Sequence, residues 1–392
     1  MAIFIMPLEL GWINSYGFWG GRLFDFPNFF VCVVVVLFCG RLLRVSAIVQ
    51  FILVLHCALP FFLNGVLFDY SYMPDQFEYW RSFNEIRSGE MGIFDALVGR
   101  NTEQAALFFS FMPFPAAVSP LSLGFFNSFL YVLVFYFLYS RRVFTSVSMW
   151  FFLLYPSMAL YSALALRETL VFASMVLAFQ FAREGRLVFV LISLVPLYLI
   201  KFQNFFILAP LLLFYLFFGI RRSGLSFRNG FFVLVFSGFF IFALSPIIIP
   251  IVNRFRVAMF VENGGSPFDV SLISSSFDFV LQGLFSASYF MLKPFPWEVG
   301  NAMQFVQSVE NIFIFALVFL VTIKAWRLAP RMLVFWVLFF VFSMSIYGLV
   351  VANFGTAARY RYPFVVIYIV FVCAECQVRN IFPAMRRRDS KL

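Results

Sequence analysis

The stretch NFGTAARYRYP, Asn353 to Pro363, divides two long apolar runs, about 332–352 and about 362–378. Each run is long enough to cross a bilayer, because about 20 residues of helix span roughly 30 Å. Arg359 and Arg361 therefore fall at a membrane boundary, where a charge is costly unless it snorkels or meets something anionic. Asn353, Gly355 and Thr356 interrupt the helical pattern just ahead of them. The plain reading is interfacial snorkelling. The sharper reading is an anion site at the mouth of a membrane domain. On a continuing helix the two arginines would diverge by about 200°. A non-helical turn between Gly355 and Pro363 would aim both at one ligand; a helix would leave one of them, with Arg359 favoured.

The rest of the chain supports a membrane setting. Of 392 residues 63% are hydrophobic and 12% charged, and Phe alone supplies 63. Soluble globular domains do not have this composition. Apolar runs in lipid must satisfy their own backbones, so they are read as helices. Runs lie near 24–40, 46–67, 123–140, 143–163, 165–182, 187–200, 203–220, 230–251, 311–323, 332–352 and 362–378. The expected fold is an all-α polytopic membrane helical bundle of about 11 spans, a single integral domain over 1–392. Residues 105–121, crowded by Pro113, Pro115 and Pro120, read as a re-entrant or interfacial segment, and residues 1–21 as a further interfacial helix. No cleavable signal peptide is recognised, and no internal repeat.

Arg and Lys orient the spans. One set of connections holds 17 of the 28 basic residues but only Glu184, Glu375 and Asp389 among the 18 acidic ones. The other side keeps 11 basic and 15 acidic residues. The basic side is read as cytoplasmic. The net charge of +10 is then a topology signal and implies no nucleic-acid partner. Cytoplasmic connections are short turns, whereas the outer side carries two extended loops, about 68–104 and about 252–310. Chemistry is expected at that outer, periplasmic face of a bacterial inner membrane.

The first outer loop contains Asp69, Asp75 and Glu78 among aromatics in FDYSYMPDQFEYW. A carboxylate there can serve as general base toward a sugar hydroxyl or hold a divalent metal; an acidic outer loop with no further role is the alternative. Arg167 and Glu168 open the run 165–182 at its outer end. Arg meets phosphate with a bidentate fork that Lys lacks. Lys201 lies in a short outer turn, Arg254 and Arg256 open the second loop, and KPFPWEVGN (293–301) forms a stiff aromatic corner with Trp297 and Glu298. That corner either anchors membrane re-entry or contributes to a site. Six cations, Arg167, Lys201, Arg254, Arg256, Arg359 and Arg361, thus map to the outer boundary of an otherwise acidic face. A polyprenyl phosphate or pyrophosphate would account for them. The cysteines Cys32, Cys39, Cys57, Cys373 and Cys376 lie within apolar runs and are expected to be thiols, and His56 is read as a hydrogen-bonded interior histidine.

The segments PDQFEYW (74–80), YPSMALYSALALRETL (155–170), KPFPWEVGN and NFGTAARYRYP, set in this membrane pattern, resemble a Wzy-type O-antigen or polysaccharide polymerase, within the broad glycosyltransferase-C group. The resemblance implies transfer of a growing glycan from undecaprenyl pyrophosphate to another lipid-linked repeat unit. It implies an acidic residue in the first outer loop, here Asp75 or Asp69, and outward-facing arginines, here Arg167, Arg359 and Arg361. It implies no cofactor, although other glycosyltransferase-C members often use a divalent metal. The partners implied are the undecaprenyl-pyrophosphate-linked glycan, membrane lipid and a chain-length regulator. O-antigen ligases typically carry a His in the outer loop, and none stands there in this chain. Another polyprenyl-phosphate-dependent glycosyltransferase and a lipid-linked oligosaccharide flippase remain alternative readings.

Overall fold

The computed structural model describes residues 22–63, 66–67, 73–114, 117–217, 224–225, 227–262, 266, 270–351 and 353–379. Asp69, the interfacial helix expected at 1–21, Arg221, Arg222 and the basic tail from Arg386 lie outside the described residues. Every described element is a helix. Among them are five helical segments long and apolar enough to cross a membrane: Pro120–Ser140, Phe242–Val261, Ala302–Leu328, Pro330–Val350 and Phe354–Glu375. Phe26–Leu42, Ala47–Leu63, Leu187–Ile200 and Phe202–Phe217 are apolar but shorter.

The chain divides into two compact units. The first comprises Met1–Arg142 and Leu153–Leu212. It opens with α1 (Phe26–Leu42) and α2 (Ala47–Leu63), which pack on each other and on α6 (Pro120–Ser140). Phe61 meets Phe29 at 5.6 Å and Phe125 at 4.7 Å between ring centroids, joining all three helices in one aromatic cluster. Asp25, buried ahead of α1, accepts hydrogen bonds from Ser119 at 2.8 Å and from Ser122. The start of α6 is fixed by Ser119, whose hydroxyl accepts from the Leu121 N–H, and by Pro120 in its first turn.

The segment expected as the first outer loop, about 68–104, and the residues after it form α3 (Asp75–Ser88), α4 (Ile93–Val98) and α5 (Asn101–Ser110), so its described part is largely helical. Gln76, Tyr79 and Phe83 recur at helical spacing and form the buried face of α3. Arg87 donates to the carbonyls of Ser110, Met112 and Phe114, closing the chain beyond α5. The crowded-proline segment is resolved the same way: α5 ends at Ser110 and α6 starts at Pro120.

A second correction concerns the run at 143–163. It forms α7 (Ser146–Leu154) and α8 (Pro156–Tyr161), interrupted at Tyr155, because a proline disfavours helical backbone in the residue before it. The chain then leaves helical form over Ser162–Leu166 before α9 (Glu168–Glu184) begins. Gly185, at φ 74°, ends α9 in the left-handed region that glycine adopts without strain. Next come α10 (Leu187–Ile200) and α11 (Phe202–Phe217).

The second unit comprises Val143–Phe152 and Leu213–Leu392. Its first long helix, α12 (Phe227–Glu262), continues past 251, so Arg254 and Arg256 lie on a helix and do not open a loop. The segment expected as the second outer loop, about 252–310, also holds α13 (Ser276–Leu292), packed along α15 (Pro330–Val350). Their backbones approach so closely at Gly348 that a β-carbon there would run into the Ser286 carbonyl. The helix α14 (Ala302–Leu328) precedes α15, and α16 (Phe354–Glu375) pairs with both. Trp336 of α15 stacks on Phe371 of α16 at 5.5 Å, with the planes 5° apart. Its indole donates to Glu375 at 2.7 Å, and the Tyr215 hydroxyl donates to the other oxygen of that carboxylate at 2.6 Å.

Candidate functional site

In the first unit the candidate residues gather around the break between α8 and α9. Ala163, Leu164, Ala165 and Leu166 are all buried. Non-helical backbone in such a setting needs partners for its peptide groups. Asn127 of α6 donates from Nδ2 to the carbonyls of Leu164 and Leu166, both at 2.6 Å. The Gln76 side chain accepts from the Ala165 N–H at 3.0 Å. His56 shares a 2.8 Å hydrogen bond with Ser162, and Ser162 donates to the Met158 carbonyl. The His56 ring stacks on Tyr131 at 3.7 Å, so its interior role is as expected. Gly124 allows the close approach, since a β-carbon there would lie 2.6 Å from the Ala163 oxygen.

This scaffold presents Arg167 at the start of α9, half-buried, with Nη1 3.2 Å from the Ile200 carbonyl. The next residue, Glu168, turns inward. It is 1% exposed and pairs with Lys201, 5% exposed, at 3.5 Å. The Lys201 charge is thus matched inside the unit. A buried pair of this kind contributes little net stability while intact but is costly to break. Arg167 itself sits where the first N–H groups of a helix give positive potential, a setting favourable to anions. Asp75 is the first residue of α3 and is exposed. Glu78, also exposed, lies one turn on and shares that face.

In the second unit the structure separates Arg359 from Arg361. Asn353 caps α16, its side chain accepting from the N–H groups of Gly355 and Thr356. The interruption seen in the sequence is therefore a helix start, and both arginines lie on continuous helix. One ligand held by both is not the arrangement found, because the helix turns them apart. Arg361 is 1% exposed and faces inward. It donates to the carbonyls of Phe290 and Met291, both at 2.7 Å, and to the Asn311 side chain. Those carbonyls end α13 and have no partner within their own helix. Arg361 is accordingly a cap for α13. Arg359 is half-buried, with its guanidinium 5.8 Å from the Tyr360 ring centre.

The remaining residues are placed individually. Arg254 is exposed on α12. Arg256 donates to Gln282 at 3.0 Å and to Ser271 at 3.2 Å, which ties α12 to the α13 region. Trp297 is exposed, and Glu298 pairs with Lys293 at 3.3 Å. Arg167, Lys201, Arg256 and Arg361, among the cations expected at the outer boundary, therefore make internal bonds. Among the described residues no group of three or more His, Cys, Asp or Glu side chains is arranged to hold a metal ion. The five cysteines are free thiols.

Sequence reasoning passed over Gln76, Asn127 and Glu375. Asn127, a polar residue inside the apolar run 123–140, was the available signal, because such residues are retained in spans where they bond something. Comparison with known proteins finds no relative: no family model, no curated protein and no solved structure matches the chain.

Proposed function

We propose that the protein is a glycosyltransferase of the bacterial inner membrane that polymerises lipid-linked repeat units at the periplasmic face, drawing glycan from undecaprenyl pyrophosphate. The observation that supports this most is Arg167, half-buried at the positive end of α9, directly after the non-helical segment Ser162–Leu166 and next in sequence to Glu168 of the buried Glu168–Lys201 pair. A fork-shaped cation at such a point suits a pyrophosphate at headgroup level. Charge develops on that leaving group as the glycosidic bond breaks, so a fixed cation favours the transition state. Arg359 is the second candidate for the donor. Asp75 is assigned to the acceptor, as base toward its hydroxyl, and the topology of about 11 spans belongs to the same reading.

The test is the chain-length distribution of surface glycan in cells carrying Arg167→Lys, Arg359→Lys or Asp75→Asn at matched protein levels. Loss of long polymer in the lysine variants is expected, because lysine keeps the charge and loses the fork. Full-length polymer from all three variants would overturn the proposal. A flippase is the second reading, favoured by the interrupted crossing α8–α9, since transporters build substrate sites at discontinuous helices. It predicts loss of translocated repeat units, with precursor accumulating on the cytoplasmic side.

A further inference from the structure

The corner 293–301 has a geometry that anchoring alone leaves unexplained. Phe295 lies between Pro294 and Pro296, which restrict the backbone on both sides. Trp297 stacks on Phe295 with centroids 4.9 Å apart and planes 3° from parallel. Tyr289 meets Phe295 edge-on at 6.3 Å. One face of the indole is therefore backed by a second ring, yet Trp297 remains 79% exposed. Beside it Glu298 is held at both oxygens: Oε1 pairs with Lys293 at 3.3 Å, and Oε2 accepts from the Phe295 N–H at 3.2 Å. Lys293 in turn sits 4.8 Å over the Tyr289 ring.

The setting of this corner matters. Asn311 donates to the Lys293 carbonyl at 2.7 Å, and Arg361 holds the carbonyls just before it. Arg361 lies seven residues along α16 from Phe354, so the corner is tied to the first turns of that helix. The Lys293 and Glu298 side chains remain 34% and 30% exposed, and charges left open in this way favour water over lipid around the corner.

We propose that Trp297, backed by Phe295 and flanked by Glu298 and Lys293, is a platform for a pyranose ring of the acceptor glycan. The C–H face of a sugar packs on the exposed indole. The carboxylate oxygens retain lone pairs for its hydroxyl groups, and the ammonium group donates to its oxygens. This rests on the proposed function and adds a subsite to it.

The experiment uses the full chain in lipid nanodiscs. The probe is the soluble oligosaccharide repeat of the cells' own surface polysaccharide, released by mild acid. Binding is read by saturation-transfer NMR, and the Trp297 environment by the fluorescence difference between wild type and Trp297→Phe. Glycan contact should weaken about tenfold in Trp297→Ala and Glu298→Gln and less in Trp297→Phe, which keeps a ring face. Oligosaccharide should also shield Trp297 from acrylamide. Quenching of Trp297 by brominated lipid, with glycan binding unchanged in Trp297→Ala, would identify a membrane anchor and overturn the platform. Binding is read without turnover. A protein that binds glycan through Trp297 but keeps full-length polymer in the Arg167→Lys, Arg359→Lys and Asp75→Asn variants alike would sink the polymerase reading and leave the platform standing.

Discussion

Arg361 donates to the carbonyl of Phe290 at 2.7 Å, a bond between residues 71 apart in sequence. The same guanidinium serves Met291 and Asn311, so one side chain satisfies acceptors on two other helices. Replacement by lysine keeps the charge but cannot span all three acceptors. Arg361→Lys should lower the unfolding temperature of the purified protein, and Arg361→Met should lower it further. Each hydrogen bond to a charged group contributes about 1.5–3 kcal/mol. An unchanged melting curve in Arg361→Met would show that α13 is held by packing alone.

Gly124→Ala should be destabilising by about 1–3 kcal/mol, because the new methyl group meets the Ala163 carbonyl. Gly238→Ala is the control. Nothing lies within 4 Å of a β-carbon at Gly238, so only helix propensity changes, with a gain of up to about 1 kcal/mol. Thermal unfolding of the two variants in one detergent should move in opposite directions; movement together would discount the close approach at Gly124.

Breaking the Glu168–Lys201 pair from one side strands a buried charge. Lys201→Met alone should cost about 3–5 kcal/mol. Adding Glu168→Leu should restore part of the loss, since an apolar pair needs no compensating charge. A double variant less stable than either single variant would mean that these residues serve other partners more than each other.

The orientation is testable with single cysteines at Ser88 and Ser274, both exposed. Four of the native cysteines are buried and Cys39 is partly so, which keeps the background low. An impermeant thiol reagent should label both sites in cells whose outer membrane alone is permeabilised. Labelling that appears only after the inner membrane is broken would invert the topology.

Most apolar runs are helical, because an apolar backbone must satisfy its own hydrogen bonds, but 143–163 divides at Tyr155 and the helices Phe227–Glu262 and Ala302–Leu328 extend well beyond the expected 230–251 and 311–323. Pro120 and Asn353, read from the sequence as a residue crowding a re-entrant segment and as an interruption, are both helix starts in the structure, the one at the first position of α6 and the other as cap of α16. The polarity of 68–104 conceals the helices within it, although the spacing of Gln76, Tyr79 and Phe83 is helical and legible in the sequence. The break at Ser162–Leu166 was harder to see. Pro156 marks the separate interruption at Tyr155, and the groups that stabilise the break, Gln76 and Asn127, lie 89 and 37 residues from their nearest partners. The separation of Arg359 from Arg361 depended on whether 354–363 is helical, which Gly355 and Pro363 left open until Asn353 was seen as a cap.

The Arg361 cap also sets an order of assembly. Residues 290 and 291 leave the ribosome some 70 positions ahead of the side chain that completes them. Until that side chain arrives, the end of α13 exposes bare carbonyl oxygens, which hydrocarbon does not tolerate. Water must hold them in the interval. The expected order of assembly keeps α13 at the aqueous surface until the last described helix, α16, brings its arginine. That helix is in this sense the latch for an element made well before it, and a chain truncated ahead of residue 361 should leave α13 open to added protease.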